Sequence, residues 1–344
     1  ASKHAGTALC VAVIKANGYG HGICEMARTL PESTLAVACV DEAMELRQAG
    51  INNPVVVLEG AFTQNEAVLA SQYQLQLIAH SEYQIDQLAK LNTEEPGVDV
   101  WLKLNTGMNR LGFSPSKAGE ALAKLKALPK VCVLGAMTHF SSADEAGSDE
   151  TQQQLNIFQA IVNELDNGTE KLQLTAANSA ALLEYKNAHF DSVRPGIILY
   201  GSSPLAHASA ETLGLTPVMT LKSRIMAIHE LEEGDCVGYG ATWRASRATR
   251  IATIAIGYGD GYPRHAEIGT PVWIGDRVVP LIGRVSMDML SVDLGYHPDA
   301  KIGDEVELWG RHVSVDEVAA SAGTIGYELL TGVTSRVPRQ YVNR

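Results

Sequence analysis

Short runs of apolar and β-branched residues recur along the first part of the chain, each with the length of a buried strand. Eight such runs are predicted to be strands: 9–14, 35–40, 54–58, 75–79, 98–104, 131–137, 172–175 and 192–194. Stretches with apolar residues at helical spacing lie between most of them, notably 41–49, 82–91, 116–128 and 149–165. Such alternation indicates a parallel α/β fold, and the number of strands favours a closed (β/α)8 barrel.

The pattern changes after about Gly214, where apolar runs follow one another with few helical stretches between them. These runs are 219–229, 250–256, 272–274, 278–282, 290–294 and 305–309. Glycine and aspartate separate them, as is typical of antiparallel strands joined by short turns. We therefore predict a barrel domain over residues 1–215 and a mainly antiparallel β domain over residues 216–344.

Composition excludes several classes of function. With 46% hydrophobic residues in 344, the chain can bury a large core, which argues against a disordered or fibrous protein. Acidic residues outnumber basic ones by 39 to 27, and no cluster of lysine and arginine interrupts the formal charge of -12. We therefore expect neither a nucleic-acid partner nor an anionic membrane surface.

The five cysteines are scattered and show no C-x-x-C spacing, so reduced thiols are the simpler interpretation. We predict no metal site. The first apolar run is too short to span a bilayer, and no signal-peptide pattern precedes it. Together these features predict a soluble protein of the cytoplasm.

Polar side chains follow the predicted barrel strands at the end where such a barrel carries its active site. Lys15 ends the first strand and opens the glycine-rich segment VIKANGYGHG. An amine at the end of a buried strand can have a lowered pKa, which suits Schiff-base or proton-transfer chemistry. From position alone, a lysine that extends into solvent is the more common case.

Further polar residues occupy the same position after four other strands: Lys103, Arg110, His139, Ser179 and Arg194. Each has an ordinary structural interpretation, such as an ion pair for the arginine or a buried hydrogen-bonded histidine. Side chains from so many different strands imply a shared pocket. After the last strand, Gly196 and Ile197 present backbone N–H groups that can bind a phosphate, although an ordinary tight turn is the alternative.

In the β domain, the segment GYGDGYPR places Tyr258 in a loop whose glycines allow the backbone to approach a ligand. Further on, GRVSMDM contains Met287. Taken alone, the tyrosine is a ring packed in a hairpin and the methionine a core residue. Neither G-x-x-x-x-G-K-[ST] nor G-x-G-x-x-G occurs, so no nucleotide site is predicted.

Together these segments resemble the alanine racemase family, a group of pyridoxal-phosphate enzymes with a barrel and a C-terminal β domain. The similar segments are, in chain order, VIKANGYGHG, LKLNTGMNRLGF, MTHFSSADE, AANSA, SVRPGIILYG, GYGDGYPR, GRVSMDM and TSRVPR. They cover nearly the whole chain, and the lysine motif combined with a distant GYGDG is highly specific. The segments look most like those of the Gram-negative bacterial branch.

The resemblance implies interconversion of L-alanine and D-alanine with pyridoxal 5'-phosphate as cofactor, supplying D-alanine for peptidoglycan. Lys15 would carry the cofactor as a Schiff base and act as the base facing the D-enantiomer. Tyr258 would be the base for the L-enantiomer. In the family this tyrosine comes from the partner subunit, so the resemblance implies a homodimer with shared active sites.

The resemblance assigns further roles. Arg194 corresponds to the arginine that contacts the pyridine nitrogen, and His139 to the residue that links it to Tyr258. Implied phosphate contacts are Tyr19, Ser179, Gly196 and Ile197. Arg110 and the Met287 backbone correspond to contacts with the substrate carboxylate, and Lys103 to a lysine that can be carbamylated.

The chain departs from the family at three positions. Asn105 stands where many members have aspartate, Thr175 where some have histidine, and Ser335 where some have a phosphate-binding tyrosine. The first two changes remove a charge or a titrating group near the cofactor. Members also usually carry a strand and a helix before the lysine motif, so we expect the given sequence to lack a segment.

Other functions stay open. A serine racemase or one of broader specificity would use Arg110 and Met287 in the same way, because these recognise what all amino acids share. A barrel-type decarboxylase would place an acidic residue, not Arg194, at the pyridine nitrogen. A non-catalytic carrier of the same cofactor usually lacks the second domain and the counterpart of Tyr258.

Overall fold

A computed structural model gives the structure of residues 1–166, 171–295 and 297–342. The chain divides by its contacts into two units. The first contains Ala1–Gly18, Gly22–Leu199 and Pro204–His207, and the second contains Tyr19–His21, Tyr200–Ser203 and Ala208–Arg344. Two short segments, around residues 20 and 202, therefore group with the second unit and not with their neighbours in sequence.

The first unit is built on a closed barrel of eight parallel strands. In chain order these are β1 (Leu9–Val13), β2 (Thr34–Val37), β3 (Val55–Val57), β4 (Leu75–Ala79), β5 (Val98–Lys103), β6 (Val131–Met137), β7 (Gln173–Thr175) and β8 (Ser192–Val193). Pairing of Leu9 with Ser192 and of Cys10 with Val193 joins β1 to β8 and closes the barrel. The predicted (β/α)8 architecture is confirmed, and most strands are somewhat shorter than their apolar runs.

The helix Ser2–Ala5 precedes β1. The helices that connect the strands are Ile23–Arg28, Val40–Gln48, Gln64–Gln72, Glu82–Leu88, Pro115–Ala127, Glu150–Leu165 and Ser179–Glu184. Their starts follow from local chemistry. Thr63 and Glu66 form a reciprocal capping box at the start of Gln64–Gln72. The four helices predicted from apolar spacing are all present. None of the helices in the described part of the chain combines the length and apolar content that a membrane span requires.

The second unit contains β9 (Leu221–Leu231), β10 (Cys236–Val237), β11 (Trp243–Arg244), β12 (Thr249–Ile254), β13 (Pro271–Ile274), β14 (Arg277–Ile282), β15 (Leu290–Asp293) and β16 (Glu305–Trp309). The predicted antiparallel β architecture is confirmed. Six of the strands also close into a second barrel, in the order β12, β15, β14, β13, β16, β9. Closure depends on the long β9, whose first half pairs with β16 and whose second half pairs with β12. The helices Val315–Ser321 and Gly326–Gly332 follow.

Close packing inside the first barrel requires a glycine in β6. A Cβ atom at Gly135 would lie 2.0 Å from the Gln173 carbonyl oxygen in β7 and 2.8 Å from the Trp101 ring in β5. The neighbouring strands therefore approach one another at a distance that only glycine permits.

We expect Gly135→Ala to lower the free energy of unfolding by about 1–3 kcal/mol, because the barrel strands would have to move apart. Gly119→Ala is the matched control, since nothing lies within 4 Å of a Cβ there and the site is helical. That variant should be neutral or stabilising by up to about 1 kcal/mol. Melting temperatures of the two variants test this, and an equal shift in both would contradict the packing argument.

Candidate active site

Positively charged and titratable side chains gather where the barrel strands end. Lys103 is the last residue of β5, and burial lowers its pKa to about 8. The charges of Arg194, Arg110 and Lys15 act on Lys103 in the same direction, whereas Glu59 acts against them. The structure thus brings four of the predicted site residues within electrostatic reach of one another.

Arg194 is buried at the end of β8 and is held by neutral acceptors. One terminal nitrogen, Nη1, donates to Thr175 Oγ1 at 2.7 Å, and Nη2 donates to the carbonyl oxygens of Thr138 at 2.7 Å and Ala176 at 3.0 Å. Burial lowers the pKa of Arg194 to about 10, so the guanidinium stays charged at neutral pH. Its Nε–H has no acceptor among the residues with described positions, which leaves this donor for a ligand.

His139 follows β6 and contacts Arg194, with 3.4 Å between Nδ1 and Arg194 Nη2. Burial holds the pKa of His139 well below its ordinary value, and the nearby charges of Arg194, Lys103 and Arg110 add to the effect. The imidazole is therefore neutral at physiological pH. A neutral ring can accept from Arg194 through Nδ1 and donate through Nε2.

Gln154 holds the loop that carries His139, and sequence analysis missed it. It is a buried residue of the helix Glu150–Leu165. Its Nε2 donates to the His139 carbonyl oxygen at 3.1 Å, while its Oε1 accepts from the Ser141 N–H and hydroxyl at 2.9 and 3.0 Å. A glutamine at a position of the apolar stripe, one residue before Leu155, was the available signal.

Asn105 organises the loop that presents Arg110. Its side-chain oxygen accepts from the N–H groups of Gly107 at 3.1 Å and Asn109 at 3.0 Å. Asn109 has a φ of 57°, in the left-handed region. Asn105 therefore closes a local turn, and the exposed Arg110 follows directly. Asn105 Nδ2 also donates to Asn109 Oδ1 at 2.9 Å, a hydrogen bond that a carboxylate at this position could not donate.

Lys15 is half-buried and is followed by a left-handed helical turn. The φ values of Ala16, Asn17, Gly18 and Tyr19 are 52°, 53°, 61° and 49°. For residues other than glycine this conformation costs about 1–2 kcal/mol each. The sequence predicted a glycine-rich loop here, and nothing in its pattern predicted a run of left-handed residues.

Glu42, in the first turn of the helix Val40–Gln48, contacts this turn. Its Oε1 accepts from the Ala16 N–H at 2.6 Å, and its Oε2 accepts from the Ala38 N–H at 2.8 Å. Sequence analysis did not single out Glu42, because an acidic residue in the first turn of a helix is common.

The predicted phosphate contacts of the first unit lie together. Ser179 begins the helix Ser179–Glu184, and its hydroxyl accepts from the Gly196 N–H at 2.8 Å. Ile197 opens a short 3-10 helix, Ile197–Tyr200. The hydrogen bond between Gly196 and Ser179 thereby joins the segments after β7 and β8.

Tyr19 groups with the second unit. Its ring is buried and stacks on Tyr200 with 4.7 Å between ring centroids. Burial raises the pKa of Tyr19 to about 12, so its hydroxyl stays protonated and can donate. Arg339 Nε donates to the Gly20 carbonyl oxygen at 2.7 Å, and the Tyr341 hydroxyl donates to that of His21 at 2.9 Å.

Tyr258 and Met287 lie side by side in the second unit. The N–H of Tyr258 donates to the Ser286 carbonyl oxygen at 3.1 Å, and that of Gly259 donates to the Met287 carbonyl oxygen at 2.8 Å. Their side chains are 38% and 53% exposed, so the interpretation of Met287 as a core residue is wrong. Ser335 is exposed as well.

Known proteins match this chain over nearly their whole length. A sequence model described as "Alanine racemase, N-terminal domain" matches residues 1–204, and one described as "Alanine racemase, C-terminal domain" matches residues 218–341. The alanine racemase of Hahella chejuensis is 48% identical over 346 residues, covering 98% of this chain and 92% of that protein.

Solved structures agree. The biosynthetic alanine racemase of Pseudomonas aeruginosa matches with a TM-score of 0.94 and 46% identity, covering 99% of this chain and 94% of that one. The alanine racemase of D-cycloserine-producing Streptomyces lavendulae matches with a TM-score of 0.93 and 31% identity, covering 100% and 93%. Because both family models and these relatives together span nearly the whole sequence, the chain belongs to the alanine racemase family.

Proposed function

We propose that this chain interconverts L-alanine and D-alanine with pyridoxal 5'-phosphate bound at Lys15. The observation that carries the proposal is the pairing, at the strand ends of one barrel, of Lys15 with a buried arginine that has only neutral acceptors. A decarboxylase of similar fold would need an acidic group where Arg194 lies. Alanine is proposed as the substrate because the relatives are named alanine racemases.

The residues of the first unit fit the cofactor. Arg194 is a buried cation, and its Nε–H donates to none of the described residues. This N–H can donate to the nitrogen of an aromatic ring. The Ser179 hydroxyl accepts from the Gly196 N–H and can donate its own proton to a phosphate, and Ile197 adds a backbone N–H beside it. When bound, the cofactor supplies an electron sink that acidifies the α-proton of the amino acid. Arg194 keeps its own proton, which limits that sink and disfavours side reactions such as transamination.

Two bases on opposite faces explain racemisation. Lys15 exchanges the proton on the D-side, and Tyr258 exchanges it on the L-side. Removal on one face and delivery on the other inverts the configuration, whereas a single base would tend to retain it. The neutral His139, which accepts from Arg194 through Nδ1, is suited to orient the phenol of Tyr258 by donating one hydrogen bond from Nε2.

We further propose that the enzyme is a homodimer in which Tyr258 completes the partner's active site. Residues 1–215 would bind the cofactor and residues 216–344 would supply Tyr258 and Met287 to the partner. The exposure of these two side chains, and of Met289 at 39%, supports a surface that a second subunit covers. The cytoplasm is the proposed compartment, where free cysteines persist, and D-alanine for peptidoglycan the proposed role.

Tyr258→Phe should reduce α-proton exchange from L-alanine by about 100-fold or more, because it removes the base on that face. Exchange from D-alanine should fall less. Deuterium uptake from solvent into each enantiomer measures both rates. Tyr73→Phe, an exposed tyrosine of the barrel unit, is the control. Equal losses for the two enantiomers would contradict the assignment of two bases.

Co-expression of Lys15→Ala and Tyr258→Phe chains tests the shared site. Each variant alone should be nearly inactive. A mixed dimer pairs the intact Lys15 of one chain with the intact Tyr258 of the other, so random assortment should restore about a quarter of the parental racemase activity. No restoration in a mixture shown to contain mixed dimers would mean that both residues act within one chain.

Lys103 should make the free energy of unfolding vary with pH in the alkaline range. Its folded pKa of about 8 lies below the ordinary value of 10.5, so the folded protein binds fewer protons than the unfolded chain between these pH values. The free energy of unfolding therefore gains at most about 3 kcal/mol from Lys103 as pH rises through this window. Melting curves in carbonate-free buffer measure the gain, and Lys103→Met should lack it.

We propose that Lys103 is carbamylated in the working enzyme, because a lowered pKa provides the neutral amine that carbon dioxide requires. The resulting anion would face Arg110. Bicarbonate should then weaken the pH dependence of stability in the parent protein. An unchanged pH profile, with no gain of one carbon dioxide in the intact mass, would count against this modification.

A further inference from the structure

We propose that Glu42 is a positioning residue for Lys15, and that it acts by holding the backbone amide directly after the lysine. The inference rests on the proposed function of Lys15. Glu42 lies in the helix that follows β2. Among the described residues, its carboxylate forms no ion pair and no hydrogen bond with another side chain. It accepts instead from the N–H groups of Ala16 and Ala38.

The carboxylate bridges two adjacent strand ends. Ala16 comes shortly after β1 and Ala38 directly after β2, and these strands pair in parallel with Val13 opposite Ala36. Both oxygens are used, at 2.6 Å to the Ala16 nitrogen and 2.8 Å to the Ala38 nitrogen. Hydrogen bonds of this kind, from an amide to a charged acceptor, are stronger than those between neutral groups.

The left-handed turn explains why Ala16 needs an acceptor outside itself. The turn has internal backbone bonds, from Gly18 N–H to the Ile14 oxygen at 2.8 Å and from Gly22 N–H to the Asn17 oxygen at 2.9 Å. The first N–H of a helical turn has no partner within the turn. Without Glu42, Ala16 would lose its partner while keeping an unfavourable φ of 52°. Relaxation there would rotate the peptide that follows Lys15 and redirect its side chain.

The residue type matches the task. Glutamine has one acceptor oxygen and a donating NH2 group, so it cannot offer a separate oxygen to each of the two N–H groups as Glu42 does. Aspartate is one methylene shorter. A general effect of negative charge at the start of a helix is the alternative explanation. Asp41 separates the two, because it lies in the same first turn and its side chain is exposed.

The test compares Glu42→Gln with Asp41→Asn, which removes the same charge from the same turn. In cofactor-free protein, amide hydrogen exchange in residues 16–20 should be roughly tenfold faster in Glu42→Gln and unchanged in Asp41→Asn. Added pyridoxal 5'-phosphate should form its coloured adduct with Lys15 roughly tenfold more slowly in Glu42→Gln. Equal behaviour of the two variants in both measurements would overturn the proposal.

Rescue separates positioning from general stability. Glycine adopts the left-handed conformation without strain, so Ala16→Gly added to Glu42→Gln should recover part of the rate of adduct formation. If Glu42 merely stabilised the barrel, Ala16→Gly would recover nothing, and that result would also overturn the proposal.

If Glu42→Gln does not fold, Glu42→Asp takes its place with the same expectations. A parent protein that forms no adduct would refute the proposed function, while hydrogen exchange would still test Glu42.

Discussion

Closure of the parallel barrel is the constraint on which the site depends. Pairing of β1 with β8 brings the first and last strands together, so Lys15 and Arg194 end on the same rim although they are far apart in sequence. Parallel strands also bring β5 and β6, with Lys103 and His139, to that rim. The rim therefore holds several positive charges in a largely buried site. Burial, together with these charges, lowers the pKa values of Lys103 and His139.

The acceptors around Arg194 are the basis of the chemistry proposed for this rim. Carbonyl oxygens and the Thr175 hydroxyl satisfy the guanidinium without neutralising its charge. A carboxylate in their place would allow a proton to be shared with a bound ring, and a histidine at position 175 would add a titrating group. With threonine there, position 175 adds no titrating group beside Arg194. In the proposed function, the proton transfers fall to Lys15 and Tyr258.

Local patterns predicted the fold well, because each strand and helix is marked by its own spacing. Both β4 and β6 begin and end where their apolar runs do. The closed second barrel was beyond such reasoning, since it depends on β9 pairing with two distant strands. The site was predicted mainly through motif resemblance. Gln154 and Glu42 were missed because they act through backbone groups, and the left-handed turn opposes the preferences of Ala16 and Tyr19.

In the proposed function, the amine of Lys15 binds an aldehyde cofactor. The most direct measurement is borohydride reduction of the protein with pyridoxal 5'-phosphate, followed by peptide mapping. Reduction should abolish the visible absorbance and leave a single stable label on the peptide that contains Lys15. A protein that stays colourless with the cofactor, or a label on Lys103 in place of Lys15, would contradict the proposed function.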